Sequence, residues 1–186
     1  MKRINEYLDT VSRLLAEVSR DDIKKLVGLV MDAYQSGRQV FVMGNGGSAA
    51  TASHLCCDLQ KGVGGVGPKT FKVMALTDNV PVITAWANDA DYSEIFARQI
   101  ETWAAPGDLV IAISGSGNST NVIKGVETAN AKGAITAGLA GFKGGKLAQV
   151  ARYSIVVPSD NMQHIEDVHA VLCHLIMRYM LEEIAA

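Results

Sequence analysis

A chain of 186 residues with 48% hydrophobic and 19% charged side chains has the length of one domain and too much apolar content to stay disordered. Its 17 basic and 19 acidic residues leave a net charge of −2. No cationic excess exists to drive nucleic-acid binding by counterion release, which excludes a binder working by bulk charge.

Helices come first. Ile4, Leu8, Val11, Leu14, Leu15 and Val18 recur at helical spacing, as do Ile23, Leu26, Val27, Val30 and Ala33, and Gly37 closes the second stretch. The opening MKRINEYLDTVSRLLAEV carries acids inside its apolar stretch and lacks a small-residue cleavage site. That pattern predicts an amphipathic helix, not a signal peptide. Apolar, β-rich runs then fall at 39–43, 71–76, 108–113, 134–140 and 153–157. Between them, helical patterns run from Ser48 to about Gln60, near 81–88, over 92–104 and from about Ser119 to Ala131. A short one follows Gly145 and a long one spans 163–184.

Strands of nearly continuous apolar character that alternate with helices predict a parallel sheet covered on both faces. The expected fold class is α/β: a three-layer sandwich of five parallel strands over 37–186, preceded by a two-helix segment over 1–36, in one domain spanning 1–186. The glycine-rich KGVGGVGPK at 61–69 reads as a flexible loop, with a mobile lid as its functional alternative. Cys56, Cys57 and Cys173 form no CxxC pair and no even-numbered framework, which predicts reduced thiols in a cytoplasmic protein. No apolar run reaches the roughly 18 residues needed to span a bilayer, so no membrane partner is expected.

Two segments carry the chemistry: Gly44-Asn45-Gly46-Gly47-Ser48 and Ser114-Gly115-Ser116-Gly117-Asn118-Ser119. Each follows a buried strand and opens a helix, the position where ligands bind in an open parallel sheet. Glycines let backbone approach a ligand, helix-start N–H groups point at an anion, and serine hydroxyls add donors or cap the helix. A P-loop is excluded, because Ala49 and Ala50 stand where Lys and Ser/Thr are required. A dinucleotide fingerprint fits Gly44, Gly46 and Ala49, but its acidic partner should lie about 20 residues on, whereas Asp78 lies 34 past Gly44. Tight turns and caps alone would account for one such segment. Two at two strand ends favour a small phosphorylated ligand. On the first-turn helix, His54 and Asp58 stand at i and i+4 and share a face, a spacing for a metal pair or an acid–base pair. The last helix carries His164, Glu166, His169 and His174.

The pairing of GNGGSAATASH with ISGSGNSTNVIKG resembles the SIS (sugar isomerase) phosphosugar-binding family, and within it the phosphoheptose isomerases. AWANDADYSEIF and VPSDNMQHIEDVHAVLCHL extend the resemblance over essentially the whole chain. It implies a flavodoxin-like five-stranded sheet, a homotetramer with sites near subunit interfaces, and a sugar-phosphate substrate. It assigns substrate and phosphate binding to Asn45, Gly46, Gly47, Ser48, Asn88, Asp89, Ser114, Gly115, Ser116, Ser119 and Glu166. It assigns zinc to His54, Asp58, Glu166 and His174, and catalysis to Asp58 and His174. The implied reaction converts sedoheptulose 7-phosphate to D-glycero-D-manno-heptose 7-phosphate through a metal-assisted enediol, supplying nucleotide-sugar or cell-envelope polysaccharide synthesis.

Three departures bear on that reading. Asp58 stands where these isomerases have a glutamate, one methylene longer. Glu166 replaces a glutamine, and Gly115 replaces a threonine. Eight residues separate Glu166 from His174, about 12 Å along a regular helix, so His169 is the local alternative to His174 as its companion ligand. The alternative function is a non-catalytic SIS protein that binds a phosphosugar and contacts a protein such as the replication initiator, a reading the SAATASH run suits and the carboxylate of Asp58 opposes. A third is isomerisation of a shorter sugar phosphate.

Overall fold

The computed structural model describes residues 1–185. Two helices, α1 (Lys2–Glu17) and α2 (Arg20–Gln35), lead into five strands: β1 (Val40–Gly44), β2 (Val73–Ala75), β3 (Leu109–Ser114), β4 (Ile135–Ala140) and β5 (Tyr153–Val156). All four pairings are parallel, in the order β2-β1-β3-β4-β5. This is the expected α/β sheet, and its order reverses between β1 and β3, where ligands bind in open sheets of this kind.

Strand alternation builds two cores. Val40 and Val42 of β1, with Leu109, Ile111 and Ile113 of β3, face α2, α3 (Gly47–Cys57) and α8 (Met162–Ala185). Phe41, Met43, Val110 and Ala112 face the opposite layer, α5 (Ala97–Trp103), α6 (Thr120–Ala131) and α7 (Leu147–Val150). Every residue of β1 and β3 is buried, which is why both read as unbroken apolar runs. Helix α4 (Val80–Asp89) buries no residue, although its sequence VPVITAWAND is mostly apolar.

The structure corrects several boundaries. The stretch 92–104 is two elements, a 3₁₀ turn at Tyr92–Glu94 and then α5. Asp91 opens the turn by accepting the Ser93 N–H at 2.8 Å. The glycine-rich segment does not begin as a loop. Asp58–Val63 continues α3 as a π-helix, held by the buried side chains of Leu59 and Val63. Strand β2 is only three residues, shorter than its apolar run. Among the described residues no helix is long and apolar enough to cross a membrane. All three cysteines are free, Cys56 and Cys173 buried and Cys57 exposed. Burial raises the thiol pKa of both buried cysteines, that of Cys173 to about 12, so they behave as core filler and not as nucleophiles.

Candidate active site

The first turn leaves β1 at Gly44, where a Cβ would sit 2.8 Å from Ser48 Cβ and 2.9 Å from Ile113 O. Only glycine permits that approach. Gly46 adopts φ 55° and ψ −122° to open α3, a conformation that L side chains rarely enter. The N–H groups of Gly47 and Ser48 begin the helix without intrahelical acceptors, as at any helix start. Ser48 is buried beneath the turn.

The second turn leaves β3 at Ser114 and runs to Ser119, which precedes α6. Ser114 Oγ and Ser119 Oγ lie 3.1 Å apart, so Ser119 turns toward the other serine and does not cap its helix. Ser116 Oγ accepts the Asn118 N–H at 3.2 Å, and Asn118 Oδ1 accepts the Lys146 N–H at 3.0 Å. Gly115 has its side-chain space filled by the Met162 thioether. Met162 therefore occupies the room that a threonine at 115 would take.

The catalytic and metal candidates separate into two groups. His54 on α3, Asp58 at the start of the π-helix and His174 on α8 converge, with ligand atoms within 4.8 Å of one another. His54 Nε2 lies 2.9 Å from His174 Nε2 and 3.4 Å from Asp58 Oδ2. The two rings meet nearly at right angles, 85°, with centroids 5.0 Å apart. Two imidazoles and a carboxylate form a nitrogen–oxygen set of the kind that catalytic zinc takes, three protein ligands with a position left open. The donor set fits such an ion.

Glu166 stands outside this cluster. Its carboxylate lies against Gly47, with both oxygens within 2.8 Å of where a Gly47 Cβ would be. The rise of the continuous helix α8 thus places Glu166 at the first turn and His174 at the cluster. His169 belongs to neither. It is 1% exposed and faces the Ala140 carbonyl through Nε2 at 3.2 Å, so it is not the local ligand that its spacing from Glu166 allowed. Asn88 and Asp89, at the exposed end of α4, hydrogen-bond each other at 2.7 Å. Among the described residues neither side chain hydrogen-bonds to a residue of the turns.

Burial holds the His169 imidazole down at about 4, below its ordinary 6.5, against the raising effect of the Ala140 hydrogen bond. Between those values the unfolded chain binds a proton that the folded chain refuses. Stability from this group is therefore complete above pH 6.5 and is lost as pH falls toward 4. The shift corresponds to about 3 kcal/mol. Urea unfolding at pH 7 and 4.5 is expected to show a larger drop for the wild type than for His169→Gln, and equal drops would remove His169 as the cause.

Asn121 is not among the residues that the sequence pattern singles out. Its amide pairs with Asn45 at 2.8 Å in both directions, and a polar residue on the apolar face of NVIKGV was the available signal.

The SIS domain family profile matches residues 6–141. The chain is 36% identical to the phosphoheptose isomerase of Aquifex aeolicus, covering 98% of this chain and 95% of that one. It is 36% identical to a probable phosphoheptose isomerase of Thermoplasma volcanium, covering 93% and 88%. Among solved structures, phosphoheptose isomerase from Neisseria gonorrhoeae superposes with a TM-score of 0.88 at 25% identity, covering 96% of this chain and 97% of that one. The Francisella tularensis enzyme gives 0.88 at 26% identity, covering 98% and 97%.

Proposed function

This chain belongs to the SIS-domain family, and within it to the phosphoheptose isomerases; from that premise we propose that it interconverts sedoheptulose 7-phosphate and D-glycero-D-manno-heptose 7-phosphate. The observation that carries the reading is the convergence of His54, Asp58 and His174. Asp58 approaches a histidine and is in no ion pair with a lysine among the described residues, which favours an acid–base site over a vestigial one.

In this reading the phosphate sits between the turns, on the hydroxyls of Ser48, Ser114, Ser116 and Ser119 and on the amides of Gly46, Gly47 and Gly115. From Ser48 to His54 is six residues of helix, about 9 Å. That span suits the open chain of a long sugar whose carbonyl end must reach the cluster while its phosphate stays at the turn. Asp58 takes the proton from C1 of the ketose and returns it to C2. His174 moves the hydroxyl proton between O1 and O2, so the enediol forms and collapses without net loss of a proton. His54, Asp58 and His174 would hold zinc, whose chemistry when bound is polarisation of the carbonyl and stabilisation of negative charge on the enediolate oxygens. Glu166, Asn88 and Asp89 would bind the sugar hydroxyls, Glu166 from beside Gly47. That position leaves its carboxylate apart from the three residues that would hold the zinc.

The active form is a homotetramer with sites near subunit interfaces. Two exposed apolar surfaces support an assembly of copies: Ile4 and Leu8 on α1, 57% and 59% exposed, and the apolar side of α4. The exposed tip at Asn88 and Asp89 reaches a neighbour's sugar hydroxyls in that assembly. The whole chain, 1–186, is read as one domain, and its free cysteines suit the cytoplasm.

Proton NMR of sedoheptulose 7-phosphate with the protein and zinc in deuterated water tests the reaction. Appearance of the aldose, with deuterium entering C1 or C2, is the expected result. Exchange without heptose product would redirect the reading to another sugar phosphate. Clear ligand binding with neither exchange nor product would overturn the isomerase in favour of a phosphosugar-binding protein that acts on a protein partner.

A further inference from the structure

The two turns are tied together by side chains that the reaction just described does not use. Asn45 Nδ2 donates to Asn121 Oδ1 at 2.8 Å, and Asn121 Nδ2 donates back to Asn45 Oδ1 at 2.8 Å. This reciprocal amide pair joins residues 76 positions apart, one after β1 and one in the first turn of α6. Asn121 is 2% exposed, and its oxygen also accepts the Val122 N–H at 2.9 Å. The phenol of Tyr92 donates to the same Asn45 Oδ1 at 3.2 Å.

Tyr92 is itself anchored. It lies in the 3₁₀ turn that ends at Glu94, and Glu94 pairs with Lys124 of α6 and with Arg98 of α5, the latter at 3.1 Å. Lys124 thus pins to α6 the element that delivers the phenol. The junction lies at the C-terminal ends of β1 and β3, where the strand order reverses, and a cleft lined by Asn45, Tyr92, Ser119 and Asn121 opens beside it.

The hydrogen-bond accounting limits what Asn45 can do. Its carboxamide oxygen receives two donors and one Nδ2 hydrogen is spent, leaving one Nδ2 hydrogen and the backbone amide. Asn45 cannot be a free acceptor for a sugar hydroxyl while this network is made. The turn it belongs to holds three glycines among its five residues, so it would carry a large ordering cost if left to itself. A half-buried, reciprocally satisfied amide pair, its Asn121 side buried, removes that freedom before any ligand arrives.

We infer that Asn121 and Tyr92 are positioning residues, which hold the glycine turn after β1 in register with the start of α6 so that both turns meet one phosphate. The inference rests on the sugar-phosphate reading of the site but not on turnover, and its test avoids turnover for that reason.

The test uses the full chain in wild-type, Tyr92→Phe, Asn121→Ala, Asn45→Ala and Asn45→Ala/Asn121→Ala forms. Two quantities are measured: calorimetric affinity for sedoheptulose 7-phosphate, and amide hydrogen exchange of peptides covering 44–50, 114–122 and the distant α1. Asn121→Ala is expected to weaken binding roughly ten-fold, since it removes both bonds of the amide pair and the one from the Val122 N–H, and Tyr92→Phe a few-fold, since it removes one bond. Exchange should rise at both turns and not in α1. Asn121→Ala should add little in the Asn45→Ala background, because the two side chains act as one unit.

Tyr92 is 54% exposed, so its variant keeps the test open if Asn121→Ala fails to fold. Wild-type exchange at both turns in Tyr92→Phe and Asn121→Ala would overturn the inference. So would exchange raised evenly along the chain, the mark of a merely structural role. If the wild type binds no sugar phosphate, the functional reading fails by itself and exchange at the two turns still decides the brace.

Discussion

Asp58→Asn is expected to lower isomerisation by about 10²- to 10⁴-fold, the range that a positioned general base supplies, with the fold retained. The substitution keeps the shape of the side chain and removes the charge and the basicity. The carboxylate is half-buried, 3.4 Å from His54 Nε2 and in no other ion pair among the described residues, so no buried cation is stranded by its loss. The shorter side chain still reaches the cluster, from the residue at which α3 gives way to the π-helix. Single π turns re-aim side chains relative to an α-helix and occur often at functional sites.

Asp58→Glu separates reach from chemistry. It lengthens the arm by one methylene, to the residue that the family resemblance implies at this position, so retained activity would place the base function in the carboxylate and not in its length. Zinc content measured alongside tells the two roles of Asp58 apart. Lost turnover with zinc still bound identifies the base, and joint loss makes the residue chiefly a ligand. Full activity in Asp58→Asn would remove Asp58 from the mechanism.

Most of the architecture was legible because strands buried on both faces must be apolar throughout. The apolar runs 39–43 and 108–113 lie within one residue of β1 and β3, and the offset has a cause. Gly44 and Ser114 still pair in the ladder although, as glycine and serine, they read as turn. The break near Ile95 was not legible, since the helical periodicity of 92–104 continues through the 3₁₀ turn that Asp91 opens. At the site, His54 and Asp58 could be paired from their spacing on one helix. His174 joins them only through the packing of α8 across α3, and the resemblance, not the spacing, supplied it. Glu166 illustrates the opposite limit, because a family's ligand set carries no distances. Eight residues of continuous helix put its carboxylate at Gly47, away from His174. Asn121 has its partner in a different turn and could be found only once β1 and β3 were seen side by side.

Gly117→Ala is the second large effect expected, and it acts on the phosphate turn from behind. Gly117 has φ +66°, and an added Cβ would sit 2.7 Å from the Gly144 carbonyl carbon and 3.1 Å from Gly145 Cα. Both obstacles are backbone, so no rotamer change relieves them. The two loops must separate, which breaks the bond from the Leu147 N–H to Gly117 O at 2.8 Å and disturbs that from the Lys146 N–H to Asn118 Oδ1 at 3.0 Å. Asn118 in turn is bonded to Ser116, so the serine donors lose their common frame. The left-handed conformation costs a non-glycine residue about 1 kcal/mol or more. With the clash, the total should reach about 3 kcal/mol, a fall in Tm of roughly 10 °C for a chain of this size. Gly37→Ala is the matched control. Gly37 has a nearly identical φ of +65° with nothing within 4 Å of its Cβ position. It should lose only the conformational part, with sugar-phosphate affinity unchanged. If calorimetry and thermal unfolding give the same losses for both variants, the packing of 117 against 144–145 does not hold the second turn. If Gly117→Ala alone loses binding, the loop after β4 acts as the buttress of the phosphate site.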